Sequence, residues 1–294
     1  MPRPEAAVQG GPRVSDRAAT ATPARVLITS HRRWYGLGLA ELWACRELLG
    51  FLVWRDLKVR YKQTLLGIGW VMLQPLVATV VFSLVLGRVA KLPSAGFSYP
   101  VFVLAGLLPW QLFSSGITRG GPSLVTAASV ITRVYFPRLL IPVAAVLSGV
   151  VDLLVAAVVL GGVMAWYHVV PGPQIWALPI ALGYAIFAAA AVAAWLSALN
   201  VYYRDVQQAL PFLAQVLLFV SPVAYSADVV PAGPFRLVYT LNPVTGVVQF
   251  FRWCILGIDP GWTLVLRSAA VCAVLFVSGV ALFHWVEDTF ADVM

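Results

Sequence analysis

Five ionisable residues crowd into one short stretch: Arg55, Asp56, Lys58, Arg60 and Lys62. Four are cations, and the chemistry open to such a row is the binding of anions. Then the charge stops, and from Gln63 to Gly87 no ionisable residue occurs. A basic segment running straight into an apolar one is how a chain looks where it enters a bilayer. The cations stay among the cytoplasmic headgroups while the apolar residues enter hydrocarbon. Anionic lipid there contributes about 1 kcal/mol per basic residue.

Other chemistry is thinly represented. No G-x-x-x-x-G-K-[ST] phosphate loop occurs, so nucleotide binding of the usual kind is not expected. There is no D-x-D pair for a metal–sugar-nucleotide and no G-x-S-x-G serine. His31, His168 and His284 lack metal-ligand spacing. Cys45, Cys254 and Cys272 are odd in number and far apart, which fits neither a disulfide framework nor a zinc site. Catalysis by this chain alone, and a bound metal or cofactor, are not expected. Asp152 is the one carboxylate deep in an apolar run. Placing it there costs about 2.5–3.5 kcal/mol, so it must face protein or water. A hydrogen-bonded structural role and a proton relay both fit, though no second intramembrane acid is evident to relay with.

The elements that position these groups follow from composition. Of 294 residues 61% are hydrophobic and 11% charged, against roughly 25% charged in soluble domains. The expectation is an all-α membrane protein. Eleven of the twenty Lys and Arg precede the first apolar run, where topology and lipid explain them. No nucleic-acid motif accompanies them.

Residues 1–33 read as a disordered cytoplasmic tail. Residues 34–62 hold an amphipathic helix over 34–54 and the basic segment. Leu42, Leu49 and Val53 share a face on which Arg46 intrudes, and Trp34, Trp43 and Trp54 suit the headgroup level. A membrane domain fills 63–287, with six spans at 65–86, 100–118, 139–166, 176–201, 210–225 and 263–286. Pro75 and Pro109 interrupt the first two. The apolar region 236–258 is broken by Asn242-Pro243 and Gly246 and carries Arg236 and Arg252. It reads as two short re-entrant half-helices, tolerated only against protein or a water-filled path; a seventh span is the alternative. A cytoplasmic tail, 288–294, ends the chain. Six spans with the N-terminus inside put fifteen Lys and Arg on the cytoplasmic side and five outside, which supports the topology.

Several strings carry a family resemblance: Trp54–Tyr61 (WRDLKVRY), Leu66-Gly67 with Trp70 and Gln74-Pro75, Gly106–Trp110 (GLLPW), Val134–Arg138 (VYFPR), Leu199–Val206 (LNVYYRDV), Leu241-Asn242-Pro243, Phe250-Phe251-Arg252 and Phe290-Ala291-Asp292. In this order they resemble the membrane subunits of ABC-type exporters of O-antigen, capsule and teichoic acid polymers. The resemblance implies a homodimer in the bacterial cytoplasmic membrane. Each copy would dock a separate ATPase subunit that binds ATP and Mg, and the cargo would be a lipid-linked polysaccharide.

It also implies roles. The loop between spans two and three becomes a coupling helix seated on the ATPase, with Ser123, Leu124, Ala128, Ile131 and Tyr135 as contacts. Arg55, Lys58, Arg60 and Lys62 become a landing site for the diphosphate of a polyprenyl-linked glycan, a reading compatible with lipid binding. Sugars pack their C–H faces on rings, so Trp70, Trp110, Phe113, Phe219 and Tyr225 are candidates for the polymer path. Asn242, Pro243 and Arg252 belong to an outer gate. Arg204 and Asp205 join Asp152 as structural polar residues. A drug or non-glycan lipid cargo is the nearest alternative. A membrane glycosyltransferase would need paired metal-binding carboxylates, and a proton-coupled flippase several intramembrane acids.

Overall fold

The computed structural model describes residues 43–62, 67, 69–131, 136–203, 205–230, 233, 236 and 239–287, apart from the side chains of 130, 286 and 287. All of these belong to the compact unit Leu37–Met294. The expected tail 1–33, the start of the amphipathic helix, Tyr135, Arg204 and the tail 288–294 lie outside the described residues.

Every regular element among the described residues is helical. Helix α1 is Arg46–Tyr61. Helix α2 is Gly69–Phe82 and continues through a wider π-type segment, Ser83–Val89. Helix α3 is Tyr99–Ser115 with a π-type end at Gly116–Gly120. Two single turns follow, α4 at Ser123–Thr126 and α5 at Ala128–Ile131. Then come α6 (Leu140–Trp166), α7 (Leu178–Tyr202), α8 (Asp205–Val220), α9 (Pro243–Leu256) and α10 (Trp262–Glu287).

Five segments are long and apolar enough to cross a bilayer: Gly69–Val89, Tyr99–Gly120, Leu140–Trp166, Pro173–Tyr202 and Trp262–Trp285. The expected fifth span appears as α8, which has 16 residues. At about 1.5 Å per residue it falls short of some 30 Å of hydrocarbon.

Helix α3 is the centre. Val101 to Ala105 are essentially inaccessible, as are Leu108, Leu112 and Phe113. Helices α6, α7 and α9 pack around it. Small residues make the approach close. Ala185, Ala188 and Ala189 of α7 are fully buried, and a Cβ at Gly116 would meet the Ala189 carbonyl oxygen at 2.6 Å. In hydrocarbon, helices associate through such contacts, because burying apolar surface yields no gain over lipid.

Three expected breaks are absent. Pro75 and Pro109 sit inside continuous helices. Proline removes one backbone bond, yet in lipid the remaining groups must still pair internally, so the helix carries on. Gly246 lies inside α9 and does not break it. Its missing side chain admits α10: a Cβ there would lie 2.6 Å from Ser268 Cβ. Asn242-Pro243 does mark a boundary. The Asn242 side chain accepts a hydrogen bond from the Val244 N–H (3.1 Å), and Pro243 takes the first helical position. Gly257 closes α9 at φ 72°.

Candidate functional site

Two polar constructions stand out in the apolar framework, one towards each end of α10.

The first joins α1, α3 and α6. Arg60 reaches Asp152 Oδ2 through Nη1 (2.6 Å) and donates through Nη2 to Ser148 Oγ (2.8 Å). Arg119 pairs with the same Oδ2 at 2.9 Å. The Tyr61 hydroxyl donates to Asp152 Oδ1 at 2.5 Å. Burial, and then the Asp152 carboxylate, push the Tyr61 phenol above its ordinary pKa of 10.0. It therefore stays protonated and remains a donor. Asp152 is thus not alone in hydrocarbon: it has three partners, and two guanidinium groups share one carboxylate. The side chains are not fully enclosed by this chain, at 26% exposure for Arg60, 33% for Arg119 and 16% for Asp152. Sequence reasoning missed Arg119 and Tyr61 as partners, because their meeting depends on three helices far apart in the chain.

Helix α1 runs on past Trp54, so the basic stretch forms its last turns, and Leu52 is its buried residue. Cations at a helix C-terminus face the negative end of the backbone dipole. Of the four expected anion-binding residues, two are already occupied. Arg55 pairs with Asp56 (2.9 Å) and Arg60 with Asp152. Lys58 and Lys62 are exposed and make no ion pair among the described residues.

Expected contacts in the loop after α3 turn the other way. Leu124 is completely buried, in a cluster with Leu140, Ala191, Phe283 and Leu52. Ser123 is also buried, its Oγ donating to the Gly120 carbonyl at 2.6 Å. The outward surface is Val125, Thr126 and Ser129, with Ala128 and Ile131 half-buried. An apolar stripe at helical spacing packs on its own chain when a core lies within reach, and here it does.

The aromatics divide. Trp110 and Phe113 are 5% and 1% exposed and pack on each other (ring centroids 6.0 Å) in the core. With α3 enclosed on all sides, they line no open surface of this chain. Trp70 and Phe219 are more than half exposed. The Tyr225 hydroxyl donates to the Val220 and Phe219 carbonyls at 3.0 and 3.2 Å. Asp205 opens α8 as an exposed residue, where a carboxylate faces the positive end of the helix.

The second construction is Arg252 on α9, 1% exposed and the largest fully buried side chain. Its guanidinium donates to the carbonyls of Pro222 (2.6 Å), Val223 (2.5 Å), Tyr225 (3.2 Å) and Phe102 (3.4 Å). It also lies 3.7 Å from the centroid of the Phe102 ring. No carboxylate pairs with it among the described residues. Backbone dipoles and a ring face replace water as its solvation. Gly106 makes this possible, since a Cβ there would stand 2.7 Å from both Arg252 Nη2 and the Val223 oxygen. Asn242 ties the same region together, donating to Ser221 Oγ at 2.8 Å. The 221–226 turn is therefore pinned to α3 and α9.

A helical assembly with several membrane-long helices, a charged cluster at one end and a pinned turn near the other has the build of a multi-pass transport subunit. The chain belongs to the ABC-2 type transporter membrane family, whose model matches residues 47–256. It is similar to the O-antigen export system permease protein RfbA of Klebsiella pneumoniae, 27% identical over 250 residues, covering 84% of this chain and 95% of the relative. The RfbA protein of Myxococcus xanthus is 28% identical over 264 residues, 86% of this chain and 97% of the relative. The polysialic acid transport protein KpsM of Escherichia coli is 24% identical over 248 residues, 80% of this chain and 91% of the relative.

Proposed function

We propose that this chain is the membrane subunit of an ATP-driven exporter that moves a polyprenyl-diphosphate-linked polysaccharide across the bacterial cytoplasmic membrane. The observation that carries the reading is similarity over most of the chain to permeases named for O-antigen export and polysialic acid transport. Two copies form the membrane part, and each docks one separate ATPase subunit that binds ATP and Mg. The chain crosses six times, with α8 and the turn after it as the fifth crossing, and both termini are cytoplasmic. Helix α1 lies in the cytoplasmic interface. Lys58 and Lys62, exposed and without an ion pair among the described residues, offer the first charge to the lipid diphosphate, with Arg55 and Arg60 behind them. The turns α4 and α5 meet the ATPase through Val125, Thr126 and Ser129. The polymer passes between copies along α2 and α8, whose exposed rings include Trp70, Phe212 and Phe219. The 221–226 turn with α9 closes the outer end.

The test is ATP hydrolysis by proteoliposomes holding this chain and its ATPase, with and without a purified polyprenyl-diphosphate glycan. The expected result is stimulation by the glycan that Val125→Asp abolishes. Stimulation by a small amphipathic drug and by no glycan would overturn the cargo. Failure to bind any ATPase would overturn the exporter reading.

A further inference from the structure

A cavity of about 570 Å³ opens beside the start of α10, at the end away from the coupling turns. It falls in the range of roughly 300–1,000 Å³ typical of small-ligand sites, but its lining is polar where most such sites are apolar. Asp228, Arg236, Asp259 and Arg267 all contribute, together with Gln249 from α9. These four charged residues are exposed and form no ion pair with one another or with any other described residue. Each carboxylate uses one oxygen to hold its own loop. Asp228 Oδ2 accepts from Ser226 (2.9 Å), and Asp259 Oδ1 accepts from the Gly261 N–H (3.0 Å). Among the described residues each thereby keeps an oxygen free, and both guanidinium groups keep their full set of donors.

Two cations and two anions around one cavity sum to no net charge, so an anion or cation gains little there. What such a lining rewards is a neutral ligand rich in hydroxyls, each able to donate and accept. Paired oxygens on neighbouring carbons match the forked geometry of guanidinium and carboxylate groups. Beside the cavity stands an apolar platform. Trp262, between the lining residues Gly261 and Thr263, is half exposed, and its ring meets Trp253 edge-on at 5.2 Å. Trp253 in turn stacks on Phe250 at 5.5 Å and 12°. A supported indole next to unpaired forked polar groups is the combination that a sugar ring, apolar on its faces and polar on its rim, fills best.

We propose that this cavity is a binding site for a short neutral segment of glycan, on the face where the polymer leaves. This rests on the exporter reading given above. Gln249 and Arg267 link the site to α9 and α10, and α9 also carries Arg252, so a bound sugar lies against the elements that close the outer end.

The experiment uses the full chain with its ATPase in lipid nanodiscs. Short neutral manno-, galacto- and gluco-oligosaccharides are titrated against intrinsic tryptophan fluorescence and followed by saturation-transfer NMR, with inorganic pyrophosphate as the anionic probe. At least one oligosaccharide is expected to bind saturably. Arg267→Ala and Asp228→Ala, both at exposed positions, should each weaken it about tenfold, the loss typical of an unmade hydrogen bond to a charged group. Trp262→Phe should remove most of the fluorescence change while the NMR signal persists. Binding of none of the oligosaccharides, binding unchanged in both Ala variants, or a preference for pyrophosphate would overturn the site. ATP hydrolysis in the same nanodiscs separates the two proposals. Stimulation by a lipid-linked glycan without oligosaccharide binding overturns the cavity alone. Binding that depends on Arg267 without any stimulation supports the cavity and overturns the exporter reading.

Discussion

Replacing Arg252 should loosen the whole outer end of the protein. Its guanidinium satisfies three close carbonyls, of Pro222, Val223 and Tyr225, within an otherwise apolar interior. Arg252→Ala leaves those acceptors unpaired, at about 1–3 kcal/mol each where water cannot reach, and opens a void beside Gly106. Some carbonyls recover a partner by relaxation, so the expected loss is about 3–5 kcal/mol, as for other buried charges deprived of one side of their contacts. At roughly 2–4 °C per kcal/mol for a chain of this size, melting should fall by about 10 °C. A thiol-reactive dye gives a direct readout, because Cys254 and Cys272 are fully buried and label only on unfolding. Cys45 is first changed to Ser. Arg252→Lys keeps the charge but offers a single head group and should lose less. Arg252→Met fills the volume without donors and should fall between Lys and Ala. If Arg252→Met melted within about 2 °C of the parent, a difference under 1 kcal/mol, the carbonyls would not depend on the guanidinium and the reasoning would fail.

Gly116→Ala should cost about 1–3 kcal/mol, since its Cβ would meet the Ala189 carbonyl at 2.6 Å and force α3 from α7. Gly50→Ala, with nothing within 4 Å, should instead stabilise α1 by roughly 0.5–1 kcal/mol; the same dye assay reads both. Asp152→Asn removes the charge shared by Arg60 and Arg119. It should lower melting by a few degrees, about 1–3 kcal/mol after allowance for the partly exposed arginines, and Asp152→Glu should lower it less. Reversing both exposed lysines, Lys58→Glu with Lys62→Glu, should raise the glycan concentration for half-maximal ATPase stimulation at least tenfold, given about 1 kcal/mol for each charge near the headgroups. A purely topological role for these residues would leave that concentration unchanged.

What could be read from the sequence was what is local. The break expected at Asn242-Pro243 depends only on neighbouring residues, and it is found there, as a cap that opens α9. The apolar runs set most helix bounds, because hydrocarbon thickness demands a minimum length. Proline and glycine misled wherever the surroundings decided. Pro75 and Pro109 lie in unbroken helices, and Gly246 serves close packing. Side-chain direction was the hardest to foresee. Leu124 and Trp110 have residue types that suit a partner or a polymer, yet both face the core, because a single sequence does not tell which apolar surface is nearest. The partners of Asp152 come from residues some ninety positions earlier and from Arg119, and no spacing rule reaches that far. The cavity beside α10 was invisible for the same reason, although Arg236 stood out as a charge in an apolar stretch.

The enclosure of α3 has a consequence for how the protein is made. Of the five membrane-long segments it is the least apolar and the most buried. The helices that cover it, α6, α7 and α9, are all synthesised after it. A nascent α3 therefore leaves the ribosome with only α2 to lean on, its Gly106 and Gly116 notches empty. It must be held by lipid or by the insertion machinery until some 140 further residues have been translated, a span read from Gly116 to the end of α9 at Leu256. The last of the three to arrive is the segment that carries Arg252, so its tie to the Phe102 carbonyl also records that translation has brought the covering of α3 by α6, α7 and α9 to completion.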